Sequence, residues 1–517
     1  MKALSSLVAL GAAIAASAGA AAAIPAQVRI DAGTLRGTTG MSTEVRVFEG
    51  IPFAAPPTGA NRWRAPQPVA RWDGVRDATE FGLRCTQGGF GGPGASNAPP
   101  SGEDCLYLNV WTTAASPDDK RPVMLWIYGG GFTGGAGSES RYDGEGLAKK
   151  GAVVVTFNYR LGSLGFFAHP ELSRESSHHS SGNYGMLDAL AALGWVQRNI
   201  ATFGGDPDNV TIFGESAGAI MVAALVGSPE AEGLFGRAIS QSGAWMGLGM
   251  AQMSTLARAE EAGATGAEAL GASSIAELRA KPAEEILRGI RSAGIVVDGY
   301  LVPEDLSKTF AAGRQRPVDV LVGSNRDEGT FFQFGGAQTA EQFKVNASRR
   351  FADEAPAFLE IYPADSDAQA NESYLASFSD EAAWHMRTFA NRQAATGKSA
   401  YVYYFTHVPP SPPGRPSRGA THVAEVAYVF DHLQDGLDWT DTDRKLADTM
   451  SSYWVNFART GDPNGPGLPV WQKFGTMPTD RAIVLGDTVH MESSPTPSAA
   501  KLAFFDAAYE RLMHGAH

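Results

Sequence analysis

Short, nearly continuous apolar runs recur along the chain, separated by longer segments whose apolar residues have helical spacing. Four of these runs, PVMLWIY, VVVTFNY, DVLVGS and YVYYFTH, begin at positions 122, 153, 319 and 401. Continuous apolar runs indicate parallel strands that are covered on both faces. Tyr184 to Ile200, which follows the second run, has the periodicity of a helix with one apolar side. This alternation predicts an α/β fold with a large, mostly parallel central sheet flanked by helices.

Other segments are expected to extend the sheet or to pack around it. A hairpin is predicted over Gln27 to Val47 and a strand over Cys105 to Trp111, whereas the proline-dense segment Phe48 to Pro68 is predicted to be irregular. Helices are predicted over three further segments: 250–290, which is Ala/Glu/Leu-rich and inserted over the sheet, 339–398, and the amphipathic stretch 446–460.

One stretch combines a strand, a tight turn and a helix around a serine. Val210 to Phe213 is β-branched and aromatic, Gly214-Glu215-Ser216-Ala217-Gly218 follows, and the next eight residues, AIMVAALV, have the composition of a buried helix. Strand, Gly-x-Ser-x-Gly and helix form the nucleophile-elbow pattern, in which small neighbours let the serine Oγ project above a sheet. Ser216 is therefore a candidate nucleophile.

Composition narrows the partners of such a chain. It has 517 residues, 44% of them hydrophobic, and a formal net charge of −13, which argues against nucleic acid or an anionic membrane as the main partner. No internal repeat or shift in composition divides 24–517, so this part is expected to form a single catalytic domain. Without a metal-ligand cluster or a phosphate loop in the sequence, no metal or cofactor is expected.

The first 23 residues resemble a secretory signal. Lys2 precedes an Ala-rich apolar run that ends in an A-x-A-like cleavage site at Ala21-Ala22-Ala23, and no later stretch is apolar enough to span a bilayer. We therefore expect a secreted or periplasmic protein with no stable membrane insertion after cleavage. In an exported chain, the two cysteines, Cys85 and Cys105, are expected to form a disulfide.

Acyl transfer by a serine requires an acid and a base, which follow the serine in this order in α/β-hydrolases. Glu328 and the adjacent Asp327 both come directly after the DVLVGS strand, and either could orient an imidazole. His422, after the last run and a proline-rich loop, is preferred as the base. Its nearer competitors are His407, at the end of that strand, and His432, after a helical turn.

Donors for an oxyanion are expected from two places. One is the backbone N–H of Ala217, directly after the candidate nucleophile. The other is the triplet Gly129-Gly130-Gly131, which follows the PVMLWIY strand. Glycine suits this position because the backbone itself must approach the substrate.

Motifs in the same chain order resemble those of the type-B carboxylesterases, the α/β-hydrolases that include cholinesterases and bacterial para-nitrobenzyl-type esterases. FGGDPDNVTIFGESAG resembles the family's active-site signature and EDCLYLNVW its second signature, while GIPFAAPPTGANRWR, WIYGGGF, VTFNYRLGSLGF, QSGA and NRDEGTFF also fall in family order. The resemblance covers nearly the whole chain after position 23. It implies an α/β-hydrolase fold with helical insertions over the active site.

The resemblance also implies roles for individual residues. Three groups follow from it: the triad Ser216, Glu328 and His422; the oxyanion donors Gly130, Gly131 and Ala217; and the residues Glu215, Ser242 and Glu425, which would tune the site without reacting, Ser242 through a hydrogen bond within this network. It further implies the Cys85–Cys105 disulfide. Trp245, Phe331 and Phe332 match or lie near pocket-wall positions, although ordinary core packing would explain them equally well.

These residues predict a serine carboxylesterase that hydrolyses small-molecule esters through an acyl-enzyme. Cholinesterases carry a tryptophan within the disulfide loop, whereas Phe90 is the only aromatic residue between Cys85 and Cys105 here, which disfavours a specialist for choline esters. Two alternatives remain: a lipase for longer-chain esters, and a non-catalytic adhesion-type protein, which the presence of Ser, Glu, His and the glycine triplet disfavours. The natural ester and the oligomeric state do not follow from the sequence.

Overall fold

A large twisted sheet forms the centre of the computed structural model, which describes residues 23–88, 100–247, 253–333, 336–475, 481–493 and 498–514, without the side chains of 512–514. Most of the proposed signal segment and Phe90 lie outside these residues. The described strands of this sheet, in chain order, are β1 (Thr38–Thr39), β2 (Arg46–Pro52), β3 (Tyr107–Thr112), β4 (Arg121–Ile127), β5 (Val153–Phe157), β6 (Gly205–Glu215), β7 (Arg237–Gln241), β8 (Asp319–Asn325), β9 (Ala400–Phe405), β10 (Arg481–Leu485) and β11 (Val489–Ser493).

The middle of the sheet is parallel and its edges are antiparallel. The spatial order is β11-β10-β9-β8-β7-β6-β4-β5-β3-β2-β1. Neighbouring strands from β10 through to β5 are parallel, while β11, β3, β2 and β1 pair antiparallel. The predicted mostly parallel sheet is confirmed. The carboxyl ends of β6, β8 and β9 therefore lie along one edge, where the chain leaves each strand towards a candidate site residue.

Helices cover both faces of the sheet. The described helices are α1 (Glu145–Lys149), α2 (Gly162–Gly165), α3 (Pro170–Glu175), α4 (Tyr184–Asn199), α5 (Ala217–Gly227), α6 (Leu256–Ala269), α7 (Ile275–Ala280), α8 (Ala283–Gly289), α9 (Leu306–Ala311), α10 (Ala340–Phe351), α11 (Ala355–Ile361), α12 (Asp367–Ala394), α13 (Val426–Val429), α14 (Asp441–Thr460) and α15 (Ala499–His514). The structure contains helices in every segment for which we predicted them. Among the described residues, no helix combines the length and the apolarity needed to cross a bilayer.

The expectation of irregular structure over Phe48 to Pro68 is wrong at its beginning. Arg46–Pro52 forms β2, although its register against β3 shifts between Phe48 and Ile51. Gly50 lies in this irregularity with a φ of +66°, which glycine adopts without the penalty that other residues incur. A bulge thus lets a turn-rich sequence remain within the sheet.

The inserted helices approach the glycine triplet through α2. The backbone N–H of Gly162 donates to the carbonyl of Phe132 over 2.7 Å. A Cβ added to Gly162 would lie 2.6 Å from Cδ2 of Leu287 on α8. Gly162 also has a φ of +55°, which favours glycine where the segment Gly129–Phe132, the helix α2 and the insertion meet.

The two cysteines form the expected disulfide. Cys85 and Cys105 are bonded to each other, with their Cα atoms 4.9 Å apart. Both are almost completely buried. The bond joins the beginning of the loop to the segment that leads into β3.

Candidate active site

Ser216 lies on the turn between β6 and α5, in a backbone conformation that non-glycine residues rarely adopt. Its φ and ψ are +56° and −124°, and such a conformation costs about 1–3 kcal/mol and persists only where the surrounding structure imposes it. The N–H of Ser216 donates to the carbonyl of Gln241 at the end of β7 over 2.9 Å, and its own carbonyl accepts from Ile220 over 3.0 Å. Hydrogen bonds on both sides hold the strained turn.

The two glycines of the pentapeptide are required by close packing against β4. A Cβ on Gly218 would overlap the carbonyl oxygen of Ile127, and one on Gly214 would lie 2.7 Å from the same oxygen. Any larger side chain would push the turn away from β4 and move the serine. The Gly-x-Ser-x-Gly pattern therefore has a steric cause in this fold.

The glycine triplet lies directly against Ser216. A Cβ on Gly129 would lie 2.9 Å from the Cβ of Ser216 and 2.8 Å from the carbonyl oxygen of Glu215. Gly130 and Gly131 have φ values of +106° and +62°. Gly130 begins a tight turn, in which its carbonyl accepts from the N–H groups of Thr133 and Gly134. Within the described residues, no acceptor takes a hydrogen bond from the N–H of Gly130, Gly131 or Ala217.

His422 and Glu328 form a close, buried pair. Nδ1 of His422 lies 2.5 Å from Oε2 of Glu328, and the two residues are 3% and 1% exposed. The second carboxylate oxygen of Glu328 accepts from the backbone N–H of Asn325 over 2.8 Å. Glu328 therefore faces the imidazole with one oxygen while the other is held by the end of β8.

Asp327, the competing acid, has a different set of partners. Its carboxylate accepts from the backbone N–H of Ala420 over 2.7 Å and pairs with Arg326 over 2.9 Å. Its backbone forms a bridge with Thr421, the residue before His422. Asp327 thus anchors the loop that carries the histidine, while its side chain does not contact the imidazole. His407, a competing base, is held between Asp443 and Asp487.

Glu215 reaches the other imidazole nitrogen. Its Oε1 lies 3.0 Å from Nε2 of His422. No hydrogen bond joins Nε2 to the Oγ of Ser216, and within the described residues Nε2 has no hydrogen-bond partner of good geometry. A contact between Ser216 and His422 therefore requires the side chains to move from this arrangement.

The carboxylates around His422 alter its proton affinity. Burial alone would lower the pKa of His422, but the negative charges of Glu215 and Glu328 outweigh it and raise this pKa above its usual value. Burial also raises the pKa of Glu215, an effect that the charge of His422 opposes. The imidazole of His422 therefore holds its proton more readily than a histidine side chain in water does.

The expected tuning residues behave differently from one another. Glu425 is fully buried and accepts hydrogen bonds from Gln241 and Asn325. Ser242 lies beside the elbow with a φ of +53°, but its Oγ is buried and has no hydrogen-bond partner within the described residues. The side-chain hydrogen bond expected of Ser242 is therefore not formed in the part of the chain that the structure describes.

Two of the three expected pocket residues lie against the histidine. The ring centroids of Phe331 and Phe332 lie 5.2 and 5.0 Å from that of His422. Both rings are half-buried, and Phe332 also packs against Phe378 of α12. Trp245 is half-buried at the core boundary, and its indole N–H has no hydrogen-bond partner among the described residues. The phenylalanines thus form an apolar wall beside the imidazole.

A serine at a strand–helix elbow, followed along the chain by an acid and a histidine that the next parallel strands bring together, is the arrangement of the α/β-hydrolases. This structure has that architecture. The chain matches the profile of the carboxylesterase family over residues 24–503.

Curated relatives and solved structures agree with that match. The chain is 41% identical over 461 residues to fumonisin B1 esterase of Sphingopyxis macrogoltabida, covering 84% of this chain and 82% of the relative. It is 35% identical over 489 residues to para-nitrobenzyl esterase of Bacillus subtilis (strain 168), covering 90% and 95%. A solved structure of PNB esterase superimposes with a TM-score of 0.80 at 33% identity, covering 92% of this chain and 98% of that one. The chain belongs to the carboxylesterase family and is a hydrolase that acts on carboxylic ester bonds.

Three residues behind the site were not singled out by the sequence analysis. Asn325, Gln241 and Trp454 are fully buried and are linked to Glu425 by a chain of hydrogen bonds. Gln241 and Asn325 stand within the motifs QSGA and NRDEGTFF, which was the available signal. Trp454 lies within a predicted helix, where an apolar residue indicates packing and nothing more.

Proposed function

We propose that this carboxylesterase hydrolyses its substrate in two steps through an acyl-enzyme on Ser216. The observation that carries the proposal is the buried pair of His422 and Glu328, with Nδ1 and Oε2 2.5 Å apart, together with a half-buried serine on a strained elbow. A carboxylate on Nδ1 selects the tautomer whose Nε2 has a free lone pair. Such an imidazole can accept a proton from a hydroxyl.

In the first step, the Oγ of Ser216 attacks the ester carbonyl carbon while Nε2 of His422 takes the hydroxyl proton. The carbonyl oxygen becomes an oxyanion, and the C–O bond to the alcohol then breaks as His422 returns the proton to the leaving oxygen. In the second step, water gives a proton to His422 and attacks the acyl carbon. The second tetrahedral intermediate, which this attack forms, then loses its bond to the Oγ of Ser216, and His422 returns the proton to that oxygen, which releases the carboxylic acid and restores the serine.

The N–H groups of Gly130, Gly131 and Ala217 are the proposed donors to the oxyanion. Their lack of other acceptors supports this role, because a donor that is already engaged would be unavailable. Ala217 is also the first residue of α5, whose N-terminus favours negative charge. Losing one such donor typically costs about 10²–10³ in rate.

A local rearrangement precedes the first step in this proposal. Nε2 of His422 faces Glu215 at 3.0 Å and not Ser216, and hydrogen bonds of this kind often tighten only in the substrate complex. Ser216 Oγ would rotate towards Nε2 when an ester fills the site. Glu215 would then stabilise the protonated imidazole that forms.

Glu215→Gln is expected to move the acidic limb of the kcat/KM–pH profile to lower pH by about one pH unit. The base must be neutral, so activity falls as the pH falls through the pKa of His422, which Glu215 holds raised. Removing this negative charge lowers that pKa and lets the imidazole stay neutral at lower pH. Initial rates from pH 5 to 10, each normalised to the plateau of the same variant, measure the shift.

Glu145→Gln is the matched control for this experiment. Glu145 is also almost completely buried, but its partners are the backbone N–H groups of Met41 and Ser42 and the side chain of Lys149, none of which belongs to the candidate site. Its substitution should leave the acidic limb in place. An unmoved limb in Glu215→Gln would rule out the proposed coupling to His422.

The substrate class that we propose is a neutral ester with an apolar acyl or aryl group, since the rings of Phe331 and Phe332 flank His422. A panel of aryl, alkyl and polyacid esters, including a para-nitrobenzyl ester and fumonisin B1, tests this proposal and ranks the two activities for which the relatives are named. The lipase alternative predicts a rate jump at the solubility limit of a long-chain ester. We expect simple saturation instead.

A choline ester should not be preferred over its uncharged 3,3-dimethylbutyl analogue in that panel. A desolvated cation–π contact contributes about 2 kcal/mol to binding a quaternary ammonium, and the sequence between Cys85 and Cys105 contains no Trp to provide one. The ratio of kcat/KM for the two esters measures this contribution directly, because the substrates have the same shape. A strong preference for the choline ester would contradict the proposed substrate class.

We further propose that the protein is exported and that residues 24–517 act as one catalytic domain. The Ala-rich first 23 residues support export, and so does the disulfide, because such bonds persist in oxidising compartments.

A further inference from the structure

Behind the imidazole, Glu425 is enclosed by two side-chain amides. It is fully buried on the turn that follows His422. Nε2 of Gln241 donates to its Oε1 over 3.0 Å, and Nδ2 of Asn325 donates to its Oε2 over 2.6 Å. Each oxygen of this carboxyl group therefore accepts a hydrogen bond.

Trp454 determines the orientation of the Gln241 amide. The indole Nε1 of Trp454 donates to Oε1 of Gln241 over 3.0 Å. An indole N–H can only donate, so the oxygen of the amide must face Trp454 and the NH₂ group must face Glu425. The amide of Gln241 can therefore only donate to Glu425.

The orientation of Asn325 is determined in the same way. Its Nδ2 also donates to the backbone carbonyl of Thr421 over 2.8 Å. A carbonyl oxygen can only accept, so the nitrogen of Asn325 must lie on this side, where it also reaches Glu425. Two donors that cannot reverse therefore face the two oxygens of Glu425.

Opposing effects act on the charge of Glu425. Burial, helped by the negative charge of Glu328, raises the pKa of Glu425 above its usual value, and the hydrogen bonds from Asn325 and Gln241 limit this rise. Hydrogen bonds to a carboxylate favour the ionised form, and removing one shifts the balance towards the neutral acid. The ionisation of Glu425 therefore depends on both amides.

We propose that Gln241 is a positioning residue for ester hydrolysis, whose amide, locked by Trp454, favours the ionised form of Glu425, the negative charge of which makes His422 a stronger base. The inference rests on the function proposed above, in which His422 is the base. Gln241 contacts neither Ser216 Oγ nor the imidazole in this structure, so it acts through Glu425.

Several other groups face the same region. Glu215 approaches His422 from the end of β6 and Glu328 from the segment after β8. The phenol of Tyr403 on β9 is buried and without a hydrogen-bond partner among the described residues, and the charges of Glu425, Glu328 and Glu215 all act on it. Glu425 is thus one of three negative groups around His422, and losing its charge should have a smaller effect than Glu215→Gln.

Gln241→Met tests the proposal, because methionine is similar in size but cannot donate. We expect the acidic limb of the kcat/KM–pH profile to move to lower pH by about half a pH unit, with a plateau rate within about tenfold of the unsubstituted enzyme. A purely structural loss would lower the rate at all pH values without moving the limb. Trp454→Phe, which unlocks the amide without removing it, should move the limb in the same direction by less, and it serves as the second variant if Gln241→Met does not fold.

Glu425→Gln, alone and combined with Gln241→Met, tests whether Gln241 acts on His422 through Glu425. Glu425→Gln should move the limb at least as far as Gln241→Met, and adding Gln241→Met to it should produce no further shift, because the charge is already absent. Additive shifts would overturn the proposal, and so would an unmoved limb in both Gln241→Met and Trp454→Phe.

Gln393→Met is the matched control for loss of a buried amide. Gln393 is also fully buried, but it donates to the carbonyl of Arg316. Arg316 precedes β8, whereas Asn325 of the candidate site lies at the other end of this strand. It should leave the limb in place. Ser216→Ala distinguishes a failure of the proposed function from a failure of this inference. Turnover retained by Ser216→Ala would refute the proposed function. Turnover abolished by Ser216→Ala, together with an unmoved limb in the Gln241 and Trp454 variants, would refute this inference alone.

Discussion

Ser216→Ala is expected to lower kcat/KM for ester hydrolysis by on the order of 10⁴- to 10⁶-fold without unfolding the protein. The substitution removes the only atom that could form the acyl-enzyme in the proposed mechanism. Alanine tolerates the φ of +56° about as poorly as serine does, and the lost hydroxyl has no hydrogen-bond partner among the described residues. Stability should therefore change by less than about 0.5 kcal/mol.

Ser228→Ala is the control for this prediction. Ser228 ends α5, the helix that Ser216 begins, and its buried Oγ also has no hydrogen-bond partner within the described residues. This variant should keep full activity and an unchanged Tm. Steady-state rates and thermal melts of both variants provide the comparison, and turnover retained by Ser216→Ala would disprove the role of this serine.

Glu328→Gln is expected to lower kcat by about 10²- to 10⁴-fold. The N–H of Asn325 donates to Oε1 of Glu328, so a glutamine here would place its oxygen towards Asn325 and its NH₂ group towards Nδ1 of His422. That NH₂ group would require Nδ1 to accept, which moves the imidazole proton to Nε2. An imidazole protonated on Nε2 cannot take the proton of Ser216, and the charge that stabilises the imidazolium is also lost.

Asp327→Asn is the matched substitution at the adjacent carboxylate. Asp327 accepts from the N–H of Ala420 and pairs with Arg326, so its loss should weaken the loop before His422 and lower the Tm. Activity should remain within about tenfold, because the tautomer of His422 is unaffected. If Asp327→Asn were the inactive variant and Glu328→Gln the active one, the assignment of the acid would be reversed.

Much of the fold could be predicted because its signals are local. The apolar runs that became β4, β5, β8 and β9 are buried on both faces, and such strands show continuous hydrophobicity. β6 begins at Gly205, ahead of the β-branched and aromatic segment Val210 to Phe213 that marks it in the sequence, and its register shifts between Gly205 and Val210. β2 was missed because turn-forming residues mask a strand when a bulge accommodates them, as Gly50 does.

The pairing of the acid and the base lay beyond local signals. Asp327 and Glu328 are neighbours with the same chemistry, and chain order does not distinguish them. The short helical turn over Glu328–Phe331 directs the carboxylate of Glu328 to His422. The backbone bridge from Asp327 to Thr421 places the carboxylate of Asp327 against the loop before the histidine. This difference exists only once the two segments are in contact.

By itself, the sequence determined the types of candidate catalytic residue, their order along the chain, the sheet that carries them and the family to which the chain belongs. These features are written in short motifs and in hydrophobic periodicity. Tertiary structure alone decided that Nε2 of His422 faces Glu215, that the Oγ of Ser242 has no hydrogen-bond partner among the described residues, and that Trp454, Gln241 and Asn325 enclose Glu425. The hydrogen bonds of this enclosure join residues 213, 184 and 100 positions apart. No local pattern can encode such contacts, because they form only when the sheet brings distant strand ends and α14 together.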